Sequence, residues 1–172
     1  MEIDNQADTL SSMFSDPDQN AEQFLSFFLD NEEYGVDILR VQEIKCWDSA
    51  TEVPNSPDYL KGVINLRGII VPVVDLRIRF GLTPIDYNET TVVIVLKVEG
   101  NEGERTVGFV VDAVSEVYSI ENDLLQAPPE LGDSIDLDFV KGLTSINNNM
   151  VVLLDIDHLM DEAEGTESQN LH

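Results

Sequence analysis

The sequence predicts a mainly β protein built from two similar small antiparallel barrels. One segment of the chain returns about eighty residues later, short apolar runs alternate with turn residues, and helix signals are few. A duplicated unit of this size usually forms two subdomains that pack about a pseudo-twofold axis. We therefore expect a seam between two lobes, where a partner could dock.

The repeat is clearest at residues 58–63, Asp-Tyr-Leu-Lys-Gly-Val, which return as residues 138–143, Asp-Phe-Val-Lys-Gly-Leu. The same offset of eighty places Gly68 opposite Asn148. Because glycine and asparagine adopt positive φ most easily, we expect the same tight turn at both positions.

A second part of the repeat lies upstream at an offset of seventy-three. Residues 41–44 match residues 114–117, and Gly35 matches Gly108. The difference between the two offsets fits an insertion at residues 128–132, which contain two prolines and a glycine.

Short apolar or alternating runs separated by polar turns predict the strands. In chain order, the predicted strands cover residues 24–29, 34–36, 63–66, 69–74, 91–98, 106–111 and 150–155. Residues 69–74 are almost wholly apolar, so we expect both faces of this strand to be buried. Pro72 removes a ladder donor, which predicts an edge or a bulge there. Helices are predicted only at Ser56-Pro57, a cap followed by proline, and at residues 155–164, with Leu159 and Met160 facing inward.

The chain has 172 residues and 42% apolar content, which suits two lobes that share one core. A lobe of about 60 residues alone would be marginal, so we expect one cooperative unit. We predict acidic tails at residues 1–22 and 161–172 around a folded domain at residues 23–160. Its lobes are predicted at roughly 23–86 and 87–160, with the N-terminal strand or the C-terminal helix free to cross between them.

The net charge of −25 argues against nucleic acid as a partner, because binding it needs clustered Lys and Arg. Both ends of the chain carry acids and no bases, which predicts solvated disorder, with steering of a basic partner or adaptation to salt as alternatives. No run could span or insert into a membrane, and no signal peptide is evident. Cys46 is the only cysteine, predicted to be buried and inert, so a reducing cytoplasm is expected.

The sequence offers little catalytic chemistry. Its two histidines, His158 and His172, lie near the C-terminus, and glycine-rich phosphate loops are absent. We predict no catalytic residue, no cofactor and no metal site. A carboxylate-dependent enzyme stays open as an alternative, and it would require two acids that converge in a pocket.

One motif points to a binding protein. Residues 65–68, Asn-Leu-Arg-Gly, followed by residues 69–77, resemble the signature of the CheW-type chemotaxis coupling proteins. Further blocks agree in order and spacing, at residues 33–38, 41–44, 61–63, 108–112 and 114–117. The similarity runs from about residue 24 to residue 160. It implies two SH3-like five-stranded β-barrel subdomains with few short helices.

The resemblance also implies a function: a non-catalytic scaffold that couples transmembrane chemoreceptors to the CheA histidine kinase in bacterial chemotaxis. In this family the cytoplasmic receptor tip docks between the lobes. The kinase regulatory domain docks through barrel ends in interfaces that extend into rings, where other CheW copies are a further candidate partner. We expect a cytoplasmic protein recruited to receptor arrays at the inner face of the membrane. The module of a CheV-type adaptor and the regulatory domain of a kinase stay open as alternatives.

Site residues follow from the same resemblance. The implied receptor-binding residues are Val41, Glu43, Arg67, Val92 and Val117, and the implied kinase-binding residues are Val53, Pro54, Lys61 and Gly62. By family analogy, Arg67 at a turn tip pairs with Glu43. Val92 and Val117 fit a core equally well, and Trp47 fits either core or groove wall. Because Lys61-Gly62 returns as Lys141-Gly142, a fold-level cause is favoured there.

Overall fold

The computed structural model describes residues 21–100, 103–127 and 139–157. These residues form ten strands: β1 (Ala21–Leu29), β2 (Glu32–Asp37), β3 (Val41–Cys46), β4 (Leu60–Leu66), β5 (Ile69–Asp75), β6 (Val92–Gly100), β7 (Gly103–Val111), β8 (Ala113–Glu121), β9 (Val140–Ile146) and β10 (Asn149–Leu154). A short helix, α1 (Leu76–Arg79), follows β5, and 3₁₀ turns cover Ile38–Arg40 and Asn122–Leu124.

The strands form two five-stranded sheets. The flanking sheet, in the order β8-β1-β2-β10-β9, uses both ends of the described chain, and the middle sheet has the order β3-β6-β7-β5-β4. Neighbouring strands are antiparallel except β2 with β10 and β5 with β7, which are parallel. The predicted mainly β fold with two five-stranded subdomains is confirmed.

The lobes are not the two consecutive halves predicted at residues 23–86 and 87–160. β1 and β2 pair with β8 and β10 in the flanking sheet, while β6 and β7 join the middle sheet. The first strands of each repeat therefore cross to the sheet that the other repeat completes. Local sequence repetition shows which strands are equivalent, but it does not show which strands pair.

The two sheets have the same construction under the repeat, since β3, β4, β5, β6 and β7 occupy the places of β8, β9, β10, β1 and β2. The parallel pairs match in register: Val73 lies opposite Gly108, and Leu153 lies opposite Gly35. A Cβ on either glycine would lie 2.8 Å from a neighbouring side chain. The repeated glycine is therefore explained by close packing in both lobes.

The predicted turn equivalence is confirmed. Arg67 and Gly68 have φ of 53° and 88°, and Asn147 and Asn148 have φ of 52° and 68°. Two consecutive positive φ values are typical of the tight turns that join hairpin strands. In the first turn, the Gly68 amide also donates to the Asn65 side-chain oxygen at 2.8 Å.

One large apolar cluster contains residues from both sheets. Phe27 and Tyr34 come from the flanking sheet, and Leu96 and Phe109 come from the middle sheet. Each sheet also has a smaller apolar cluster of its own. The one in the flanking sheet contains Phe24 and Leu153, and the one in the middle sheet contains Val73 and Val95. Because neither sheet can leave the shared cluster without exposing it to water, the packing agrees with one cooperative unit.

Three local predictions about β5 and its surroundings are wrong. Ile69 and Ile70 are exposed, and burial begins only at Val71. Pro72 lies within an inner strand, which tolerates the missing donor because β5 pairs with β7 only from Val73 onward. No helix starts at Pro57, whose carbonyl instead accepts from the Leu60 amide in a turn before β4.

The predicted terminal helix at residues 155–164 falls largely outside the described residues, as do Leu159 and Met160. Residues 156 and 157 are helical. The prediction that Cys46 is buried is wrong, since its side chain is exposed. β3 is an edge strand whose alternate residues face solvent, and Cys46 is on that face.

The repeated glycines Gly62 and Gly142 should differ in their tolerance of a side chain. Gly62 has φ of 139°, and a Cβ there would lie 2.2 Å from the Thr51 carbonyl oxygen. A Cβ at Gly142 would lie 3.4 Å from the nearest atom, the carbonyl oxygen of Gln126. Gly62→Ala should therefore lower the free energy of unfolding by about 2 kcal/mol or more. Gly142→Ala should change it by at most about 1 kcal/mol. Urea unfolding of both variants measures this, and equal losses would contradict the explanation.

Candidate functional site

The exposed turn after β4 carries the one ion pair that the motif implied. Arg67 Nη2 lies 3.3 Å from Glu43 Oε1, with the arginine side chain 77% exposed. Glu43 lies on β3 and Arg67 follows β4, and these strands are the two edges of the middle sheet. The pair therefore joins the edges of the curled sheet at one end of the barrel. The Glu43 partner implied by the family is confirmed.

The second oxygen of Glu43 is buried and has no hydrogen-bond partner within the described structure. A carboxylate can accept several hydrogen bonds, and an exposed pair of this kind contributes little stability. Arg67 therefore holds a charge in a defined place at the surface more than it stabilises the fold.

The structure separates the remaining receptor candidates. Val41 and Val92 are partly buried against the shared core on the paired strands β3 and β6. Val117 is 48% exposed on β8, an edge of the flanking sheet. Of the receptor candidates, Glu43 and Arg67 contact each other through their side chains, whereas Val117 belongs to the other lobe.

The kinase candidates lie on or before β4. Lys61 Nζ lies 5.7 Å from the centre of the Tyr87 ring, and its equivalent, Lys141, lies 5.6 Å from that of Phe24. Gly62 is buried, whereas Val53 and Pro54 are exposed in the loop before β4. Both lysines cover an aromatic ring of their own lobe, which gives the repeated lysine a role in packing the fold.

The Trp47 side chain packs against the core of the middle sheet and also lines a cavity at the surface. Its ring meets that of Tyr87 edge to face at 4.7 Å, inside the smaller cluster of the middle sheet. It also lines an open cavity of about 290 Å³ between β3 and β4, together with Cys46 and Thr51. Burial and a hydrogen bond to Asp75 raise the pKa of Tyr87.

Exposed apolar residues occur in pairs that the repeat relates, and sequence reasoning named only one of them, Val117, as a site candidate. They are Ile44 with Val117, and Ile70 with Met150. The repeat carries this signal, because apolar residues persist at equivalent positions where neither lobe buries them. Each lobe thus presents exposed apolar side chains at two equivalent positions, one on the edge strand and one just after the tight turn.

The corresponding end of the flanking sheet differs in charge. Glu116 occupies the place of Glu43, but Asn147 replaces Arg67. The Tyr118 hydroxyl lies near the carboxylates of Glu116 and of the buried Glu33. Burial, reinforced by these two carboxylates, raises the pKa of Tyr118 to about 12. The ends of the two lobes are therefore similar in shape and different in charge.

The described residues contain no group of three or more His, Cys, Asp or Glu side chains that could hold a metal ion. Within the same part of the chain, every helix is too short or too polar to traverse a lipid bilayer.

A model of the CheW-like domain family matches residues 23–164. The chain belongs to this family. The chemotaxis protein CheW of Klebsiella aerogenes is 46% identical over 143 residues, covering 83% of this chain and 84% of that protein. The crystal structure of the scaffolding protein TtCheW from Thermoanaerobacter tengcongensis matches with a TM-score of 0.72 and 33% identity, over 81% of this chain and 88% of that one. Chemotaxis protein CheV3 of Helicobacter pylori is 29% identical over 78% of this chain, and the match spans 43% of CheV3.

Tyr118→Phe should reduce the loss of stability in alkali. The pKa of Tyr118 rises from its ordinary value of 10.0 to about 12 in the folded protein. The folded state thus holds this proton more tightly, so its contribution is complete below about pH 10 and is lost towards about pH 12. Urea unfolding of both proteins at several pH values across this window measures the difference. The parent should lose more stability than the variant, and parallel losses would contradict the assignment.

Proposed function

We propose that the protein is a non-catalytic scaffold that couples chemoreceptors to a CheA-type histidine kinase. The observation that carries this proposal is the exposed Arg67–Glu43 pair, formed at the motif turn of a double-barrel CheW-like domain. A CheW of known structure is described as a scaffolding protein, which supports the role.

The receptor tip is assigned to the surface that includes Glu43 and Arg67, with the valines Val41, Val92 and Val117 along its sides. Arg67 offers guanidinium donors with fixed geometry to a carboxylate of the receptor. The kinase regulatory domain is assigned to the exposed loop at Val53 and Pro54 and to Lys61, while Gly62 contributes through the shape of the backbone. Other copies of the chain are a further partner in rings.

The mechanism is coupling by geometry. A rigid double barrel holds a receptor tip and a kinase domain at fixed separation, so receptor signalling shifts the kinase between active and inactive populations. Each contact is expected to bury about 800 Å² per partner or less, because an array must assemble and exchange. Multivalent attachment then supplies the stability that single contacts lack. The proposed location is the cytoplasmic face of the membrane, at receptor arrays.

The second candidate is the same coupling module within a CheV-type adaptor. The observation in favour of it is the similarity to CheV3, a protein of which the matched region is 43%. Both candidates share the receptor surface, so they differ in what else the adaptor carries and not in how this domain docks.

Arg67→Glu should abolish most receptor coupling and leave the fold intact. The reversed charge meets Glu43 and repels a receptor carboxylate, which predicts a loss of about tenfold or more in receptor affinity. The exposed pair predicts a change of about 1 kcal/mol or less in the free energy of unfolding. Pull-down with a receptor cytoplasmic fragment, and receptor-dependent kinase activity, measure the effect.

Lys97→Glu is the matched control, because it reverses a charge in another exposed ion pair, with Glu104 at 3.4 Å, in the β6–β7 hairpin. This variant should retain coupling. A folded Arg67→Glu protein that still activates the kinase fully with receptors present would refute the assigned site.

A further inference from the structure

Within the described residues, the chain passes between the two sheets at two places. The first crossing runs from β2 through the turn Ile38–Arg40 into β3, and the second runs from β7 through Asp112 into β8. These segments are the covalent joints at which one lobe could rotate against the other. An arginine holds each of them.

At the second crossing, the arginine is Arg77, which the motif contains and the proposed receptor site does not use. Its side chain is 8% exposed, and it donates to Asp112 Oδ2 at 2.6 Å, to Asp30 Oδ1 at 3.4 Å and to the Thr83 carbonyl at 2.9 Å. Asp112 also accepts from the Asp30 amide and donates its own amide to the Phe28 carbonyl. Asp30 and Phe28 belong to the flanking lobe, so this crossing is fixed from both lobes.

At the first crossing, the arginine is Arg40. It binds the Asp157 carboxylate through two nitrogens, at 3.0 and 2.7 Å, and donates to the Lys97 carbonyl at 3.1 Å. Asp157 in turn accepts from the Glu99 amide at 2.8 Å. Asp157 follows β10 of the flanking sheet, whereas Lys97 and Glu99 lie on β6 of the middle sheet. This clamp again joins one lobe to the other.

The shared apolar core holds the lobes together, but burial of apolar surface is non-directional. Paired arginine hydrogen bonds have defined angles, and breaking an ion pair of a buried guanidinium such as that of Arg77 leaves an uncompensated charge inside the protein. We propose that Arg40 and Arg77 are positioning residues that set the angle between the lobes and thus keep the seam preformed for a partner. The consequence for partner binding rests on the proposed function, whereas the effect on the lobe angle does not.

The lobe angle can be measured on the isolated full chain by electron paramagnetic resonance distances between two spin labels. Cys46 is an exposed native cysteine on the middle sheet, and Ser145→Cys adds an exposed label site on the flanking sheet. Arg77→Leu and Arg40→Leu should each shift and broaden the distance distribution, and the double variant should do so further. Lys141→Gln, which breaks a 2.9 Å ion pair within the flanking sheet, is the control that should leave the distribution unchanged.

Arg77→Leu could unfold the protein, because it removes a buried guanidinium together with its hydrogen bonds to both lobes. In that case, the variants Asp30→Asn and Arg40→Leu test whether the arginine ion pairs set the angle between the lobes. Asparagine suits the positive φ of 53° at residue 30, so the turn is kept while one charged partner of Arg77 is removed. Folded variants with the parent's distance distribution would overturn the proposal.

Binding to a receptor fragment separates this inference from the proposed function. Shifted distances with a several-fold loss of affinity support both. If the parent itself fails to bind the fragment while the variants still shift the distances, the proposed function is refuted and the positioning role of Arg40 and Arg77 is supported.

Discussion

The apolar cluster shared by the two sheets is the constraint on which the rest of the structure depends. Each small barrel has only a modest interior of its own, and the larger cluster takes side chains from both sheets. The exchange of first strands makes this arrangement obligatory, because each sheet contains strands from both repeats. Burial therefore stabilises the pair of lobes as one body, and a seam of defined shape follows from it.

Polar interactions complete what apolar burial leaves open. The ion pairs of Arg40 and Arg77 are directional and join the lobes, whereas the Arg67–Glu43 pair is exposed and joins two edges of one sheet. The first kind suits a role inside the scaffold, and the second suits a role towards a partner. The roles proposed for Arg40, Arg67 and Arg77 therefore differ because these arginines differ in burial and in position relative to the seam.

Much of the fold and part of the site could be predicted from residues alone. The repeat indicated two equivalent lobes, and the positive φ at Gly68 and Asn148 followed from residue type. The motif led to the family and to Glu43 as the partner of Arg67. Predictions that needed the environment of a residue were less successful: Cys46, Ile69 and Ile70 are exposed, although their residue types are usually buried.

The sequence by itself determined much of the local chemistry: where the two repeated tight turns lie, seven of the ten strands of the described residues, which positions repeat, and to which family the chain belongs. Only the tertiary structure decided which strands pair, which apolar residues stay exposed, and which charged groups meet across the lobes. The physical reason is the separation, along the chain, of the residues whose interactions decide each feature. Turn and strand preferences arise from each residue and its immediate neighbours, whereas pairing and burial depend on segments distant in the chain, and the same alternating pattern is compatible with more than one partner strand.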